Sequence, residues 1–332
     1  MKIRNRKMVN LIMILTLVSF VACGGQSKGS EGEDAETRTI VNVPQFNADS
    51  AFNYVKAQVD FGPRVMNSSA HDACGDYLAE KLAQFGAKVY NQHADLPSYE
   101  GKMLKARNII GAFNPDAKKR VALFSHWDSR PWADNDPDVS KHYTPILGAN
   151  DGASGVGVLL EVARQLQMQQ PTIGIDIIFL DAEDVGNHRD SNLSDENSWC
   201  LGSQYWARNP HVQGYNARFG ILLDMVGGAN AQFLYEYYSE KYARDVNRKV
   251  WKAAKSIGYD NYFVSKGGGG ATDDHLFINQ IARIPTIDII PSSDRYTFFE
   301  HWHTMKDNMD VITTPTLKAV GQTILQVIYQ EK

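Results

Sequence analysis

Apolar residues recur every three to four positions over residues 49–59 (Phe52, Val55, Val59) and 71–85 (Leu78, Leu82, Phe85). That is the period of one buried helix face, and Gly86 supplies the usual stop after the second helix. The pattern then changes to short apolar runs. Residues 88–94 and 106–113 read as strands parted by a polar turn around 97–101, and residues 121–124, 175–180, 219–224 and 283–291 read as buried strands. Helices are predicted from the small-residue turn at 148–152 to about Gln169, after 199–203, over 244–257, from Asp273 onward, and over 315–329. Strands alternating with helices predict one α/β domain: a mostly parallel central β-sheet covered by helices on both faces, joined by right-handed crossovers. No internal repeat is visible.

The run at 175–180 ends abruptly in acid, at Asp181, Glu183 and Asp184. Open α/β sheets bind ligands at the C-terminal edge of their strands, where these carboxylates are delivered. Glu183 and Asp184 repel each other and raise each other's pKa unless a cation or an acid/base role justifies them. Other candidate ligands stand at or just past apolar runs: His126, Asp151, Asp224 and His303. Zinc takes imidazole nitrogen and carboxylate oxygen, and a catalytic zinc keeps one position open. Asp151, Asp184 and His303 supply three such ligands from three strand ends and leave Glu183 as an unligated base. Alone, Asp151 would be a turn residue and His303 a surface imidazole; together they form a set. The turn around Asp151 is no phosphate loop, since the Lys and Ser/Thr that would follow its last glycine are missing, and the glycine run at 267–270 lacks them too.

The first 22 residues carry Lys2, Arg4, Arg6 and Lys7 and then an apolar run from Met8 to Ala22, ending at Cys23. This is the pattern of a secretory signal, too short for a retained membrane span. Phe20-Val21-Ala22-Cys23 resembles a bacterial lipoprotein cleavage box. Residues 1–22 are therefore expected to be a lipoprotein signal peptide, with Cys23 lipidated, 23–39 a flexible acidic tether, and 40–332 the catalytic domain. The expected location is the bacterial envelope, facing the periplasm, with membrane contact only through the lipid on Cys23. Loss of residues 1–22 removes four positive charges and no negative one, taking the formal charge from −4 to −8. That acidity argues against nucleic acid as a partner. Cys74 and Cys200 remain, and one pair in so large a domain is no disulfide framework.

His126-x-Asp128, Asp151 within Asn-Asp-Gly-Ala-Ser-Gly, Glu183-Asp184, Asp224 and His303-Thr304 resemble, in order, the zinc-dependent exopeptidase superfamily of co-catalytic aminopeptidases and glutaminyl cyclases. Trp302 before His303, Asp273-Asp274-His275, Trp199 before Gly-Ser, and Ile290-Pro291-Ser292 resemble the animal-type glutaminyl cyclases in particular. The resemblance implies one zinc on Asp151, Asp184 and His303, and conversion of N-terminal glutamine of peptides or proteins to pyroglutamate with release of ammonia. It implies Glu183 as general acid/base, Asp224 and Asp273 in an acidic hydrogen-bond relay, and Trp199 and Trp302 as walls of the substrate pocket. The chain departs from the animal enzymes at Asp184, where they use Glu, at Asp288, where they use His, and at Ser125, where they carry a Cys, so that their disulfide there is not expected.

The alternative is a zinc aminopeptidase, in which His126 and Asp224 hold a second ion; a third reading is a non-catalytic module that binds peptide N-termini. Asp273 and Asp274 could also serve only as a helix N-terminus. His142, His188, His211 and His301 are expected on the surface. The acidic run at 134–138 is expected to be a solvated loop within the long surface stretch 129–148.

Overall fold

The C-terminal halves of four parallel strands converge on one edge of the sheet, and that edge carries the acid-rich turns. The computed structural model describes residues 42–192, 195–292 and 298–332. The proposed signal, the tether and Cys23 lie outside the described residues. Val41–Lys332 forms one unit.

Its main sheet has six strands in the order β1-β2-β4-β3-β5-β8: β1 (Lys88–Pro97), β2 (Met103–Phe113), β4 (Gly174–Leu180), β3 (Arg120–His126), β5 (Gly220–Leu223) and β8 (Thr286–Ile289). The pairings β4–β3, β3–β5 and β5–β8 are parallel, while β2 runs antiparallel to both β1 and β4. Only β2 is reversed, because the turn at Ser98 to Lys102 is too short for a crossover.

The central strands are buried on both faces, which explains their continuous apolar runs. Val121, Leu123, Ile175, Ile177, Phe179, Ile221 and Leu223 point into the larger core. That core is covered by α1 (Ala48–Val59), α2 (Ser69–Gln84), α3 (Ala153–Met168), α5 (Tyr237–Ser256) and α7 (Thr314–Gln330). Alternate residues Ala122, Phe124, Ile178, Leu180 and Leu222 face a smaller core completed by Trp206 of α4 (Leu201–Arg208) and by Ile278 just past α6 (Asp274–Phe277). Helices thus cover both faces.

Two departures from the expected elements have local causes. α5 begins seven residues earlier than its periodicity suggests, because Glu236 caps it by accepting from the amides of Tyr238 and Ser239; at Ala243 it is kinked (φ −142°, ψ 38°). A second sheet, β6 (Phe233–Tyr235) with β7 (Phe263–Gly267), is too short to leave a period in the sequence. Cys74 and Cys200 are buried free thiols.

Candidate metal centre and active site

Each site residue enters on a strand exit and is held there by a second, buried group. Past β4 the chain turns at Ala182 (φ 53°), which brings Glu183 and Asp184 onto the sheet edge. Their amides both donate to the Asp128 carboxylate, at 3.0 and 3.1 Å. One side chain therefore fixes both neighbouring acids. Asp151 sits in the turn before α3, where Asp307 accepts from the amides of Asn150 (2.7 Å) and Asp151 (3.0 Å). Gly152 has φ +92°, and a Cβ there would meet the Asp128 carbonyl at 2.8 Å and the His126 ring at 3.0 Å. Glycine is needed for this turn to press against β3.

His126, the last residue of β3, places Nε2 3.1 Å from Asp151 and 3.2 Å from Asp224. His303 places Nε2 3.1 Å from Asp184 Oδ1 and 3.6 Å from Asp151 Oδ2. Among the described residues, two sets that share Asp151 bring their ligand atoms within 4.8 Å of one another: Asp151, Asp184 and His303, and His126, Asp151 and Asp224. Asp151 Oδ2 and both Asp184 oxygens are buried without a hydrogen-bond partner. Buried carboxylate oxygens without donors are costly, and a cation between them removes that cost. Two carboxylates and an imidazole suit zinc with a position left open.

Glu183 points away from that set. Its Oε1 accepts from the Cys200 thiol at 3.2 Å, and its Oε2 lies 4.0 Å from His126 Nδ1. Burial lifts its pKa well above the ordinary carboxylate value, and Asp184 and Asp273 add to the rise. Burial likewise pushes Asp184 up to about 6 and Asp224 to about 7. His303 is opposed by burial, yet Asp184 beside it lifts it to about 9. The folded site thus retains protons, which is how buried anions respond where cations are wanted. Asp273 caps α6 by accepting from the Asp274 amide, and it also approaches Glu183 and Cys200, with its second oxygen unpartnered. The helix-cap reading and the site reading of this residue both hold.

The eight residues singled out in the sequence line one cavity of about 50 Å³: Asp151, Glu183, Asp184, Trp199, Asp224, Asp273, Trp302 and His303. Trp199 stacks parallel to His303 at 6.1 Å, and Trp302 lies 4.0 Å from the same ring. Gly186 makes room for Trp199; a Cβ there would fall 2.0 Å from the indole. Both tryptophans are half-buried walls of the cavity, which opens into a wider vestibule along Arg189 and Glu196.

Three expectations are corrected. Asp134 and Asp136, expected in a solvated loop, are buried, and Asp134 lies 3.3 Å from His303 Nδ1. Arg130 pairs with Asp134 at 2.6 Å, lies 3.6 Å from Asp184, and spreads over Trp199 at 4.5 Å. Much of 129–148 is accordingly packed beneath the site rather than laid over the surface. His142 and His188 are buried as well: His188 stacks on Tyr143 at 4.6 Å and its Nε2 lies 3.3 Å from the His142 carbonyl. Asp134, Arg130 and Cys200 are site neighbours that the sequence reading missed; only the length of the loop hinted at the first two.

Residues 108–328 match peptidase family M28. The chain belongs to that family. Among solved structures it is 66% identical to a Bacteroides thetaiotaomicron glutaminyl cyclase bound to N-acetylhistamine, covering 88% of this chain and 100% of that one, with a TM-score of 0.87. A structure described as a leucine aminopeptidase precursor from the same organism matches with the same identity, coverage and TM-score. The Drosophila melanogaster glutaminyl-peptide cyclotransferase is 26% identical over 279 residues, spanning 76% of this chain and 73% of that protein. The M28 segment contains all eight of the residues singled out in the cavity and leaves out α1, α2 and β1.

Proposed function

We infer that this chain is a glutaminyl-peptide cyclotransferase, turning N-terminal glutamine of peptides and proteins into pyroglutamate. The observation that carries the reading, beside the likeness to glutaminyl cyclases, is Glu183: a carboxyl of raised pKa that stands apart from the ligand set in a cavity with room for one short side chain. Ring closure needs such a group. The α-amine nitrogen bonds to the side-chain amide carbon, the bond to the amide nitrogen breaks, and one proton must travel from the first nitrogen to the second. Glu183 takes that proton from the amine and returns it to the leaving group, so ammonia departs; a carboxyl whose pKa burial has raised is suited to both. Asp151, Asp184 and His303 would hold one zinc ion, which polarises the amide carbonyl when bound. Asp224 and Asp273 line the same cavity, Asp273 beside Glu183, and would hold the leaving nitrogen by accepting its hydrogens. Trp199 and Trp302 would flank the glutamine side chain and keep water out.

The second reading, a two-metal aminopeptidase, has an observation in its favour, the approach of His126 to Asp151 and Asp224. Mass spectrometry of Gln- and Leu-initiated peptides, before and after chelation, separates the two. Loss of one ammonia from the Gln peptide alone, abolished by chelation, restored by zinc and accompanied by one bound zinc, is expected; release of the first residue with two bound zinc ions would replace the cyclase by the aminopeptidase. Export and a lipid on Cys23 are proposed from the basic-then-apolar start of the chain. Cys23→Ala should release the protein from the membrane fraction, and unchanged fractionation would remove the anchor.

A further inference from the structure

His71 is a buried titratable group that the proposed reaction leaves unused. It lies in the first turn of α2, outside the M28 segment, and is 2% exposed. Its Nε2 stands 3.0 Å from both oxygens of Asp181. Its ring stacks on Trp127 at 4.2 Å, with 18° between the planes. It therefore touches two of the strand exits that build the site, since Trp127 follows His126 and precedes Asp128, while Asp181 begins the turn to Glu183 and Asp184. Asp181 divides its other capacity between that turn and β2: Oδ1 accepts from the Ala182 amide (2.9 Å) and Oδ2 from the Arg107 amide (2.6 Å). Ala182 then adopts φ 53°, a conformation a non-glycine residue holds only when its surroundings impose it.

We propose that His71 is a positioning residue for the reaction: by pinning Asp181 against the Ala182 turn, it aims Glu183 and Asp184 into the cavity. The proposal rests on the cyclase reading only for the reaction assayed. A helix outside the family segment then sets the geometry of the family's own acid pair.

The test compares His71→Leu, which keeps apolar contact with Trp127 but cannot donate to Asp181, with His71→Gln, whose amide can. Outer-shell partners of this kind change activity roughly 10- to 100-fold. His71→Leu should lower kcat by that factor, with KM for a Gln-initiated peptide within about twofold and bound zinc unchanged, while His71→Gln recovers most of the loss. Leu78→Ala, on the same helix and fully buried, controls for stability. It should cost about 2–5 kcal/mol of folding free energy yet leave kcat within about twofold. An unchanged kcat in His71→Leu, an equal loss of kcat in Leu78→Ala, or no recovery in His71→Gln would overturn the proposal. Should His71→Leu not fold, His71→Asn replaces it, its amide being too short to span the gap, and it must turn over more slowly than His71→Gln. Should the wild-type chain release amino acids instead of ammonia, the cyclase reading fails by itself, and the same ratios are read on that hydrolysis.

Discussion

The two ends of β4 carry buried carboxylates in opposite circumstances. At the entry, Asp176 accepts from the Arg120 guanidinium at 2.6 and 2.7 Å and from the Tyr215 hydroxyl at 2.8 Å, so a full charge is met by a full charge and a third donor. At the exit, Asp184 has both oxygens without a hydrogen-bond partner, and burial drives its pKa up to about 6. One strand thus spans a finished structural ion pair and an unfinished anionic site. The contrast teaches that burial of charge alone says little; what marks function is a carboxylate whose oxygens face the cavity without a hydrogen bond, with His303 at 3.1 Å and Arg130 at 3.6 Å standing by instead of a closed bidentate pair.

The largest effect should come from the unfinished end. Glu183→Gln keeps the shape and removes the proton carrier, so kcat should fall about 10²- to 10⁴-fold, the usual worth of a positioned acid/base, with zinc still bound by equilibrium dialysis. Full turnover in that variant would take Glu183 out of the mechanism. At the finished end, Asp176→Ala leaves the Arg120 guanidinium buried and unpaired, which should cost about 3–5 kcal/mol in urea unfolding. Turnover per folded molecule should stay as in the wild type, because Asp176 and the cavity lie at opposite ends of the strand. A loss of kcat there without loss of stability would break the contrast.

The same contrast has a pH dependence. Burial raises Asp184 to about 6 and Asp224 and Asp307 to about 7, above the unfolded-chain value of about 4. The folded metal-free chain then binds more protons than the unfolded one between those values, so its stability is retained at low pH and lost as pH rises toward 7. His303, raised to about 9 against the opposition of burial, acts in the same direction: its contribution is complete below its unfolded pKa near 6.5 and is lost as pH rises through 9. The metal-free protein should therefore lose stability steadily between pH 5 and pH 9. Zinc should flatten that slope, since the cation stands where the protons were. Thermal unfolding with and without chelator measures both slopes; a metal-free chain that gains stability with pH would contradict the charge balance described.

Part of the cavity was legible in sequence for a local reason: Glu183, Asp184 and Asp224 follow apolar runs within a few positions, so strand and ligand candidate appear together, as at Leu180 to Asp184. The parallel core was legible because Ile175, Ile177, Ile178, Phe179 and Leu180 form an apolar run broken only by Asp176. What stayed hidden depends on partners distant in sequence. Asp134 sits among Asn135, Asp136 and Asp138 and reads as solvated; its burial follows from Arg130 on one side and His303 on the other, and only the fold brings His303 there. His142 and His188 misled in the same way, each buried by the other's loop. β6 and β7 escaped because three to five residues carry no period.

Asp134 also supplies the smallest of these tests, and the one that probes the boundary between the two kinds of charge. It belongs to the finished kind through Arg130 and to the unfinished kind through His303 Nδ1. The carboxylate orients the imidazole so that Nε2 faces Asp184 and Asp151, and it strengthens that nitrogen as a ligand, which is the ordinary service of a carboxylate behind a metal-binding His. The Arg130 charge is what keeps Asp134 available: burial works against its ionisation, but the His303 and Arg130 contacts hold its pKa well below the usual carboxylate range. Asp134→Asn preserves volume and one acceptor, so the fold should survive while zinc affinity drops roughly 10- to 100-fold. Competition against a chelator of known strength reads that drop, and activity should return at saturating zinc. If affinity is unchanged and only stability falls, Asp134 serves Arg130 alone, and the division between matched and unmatched charge runs one residue closer to the metal than drawn here.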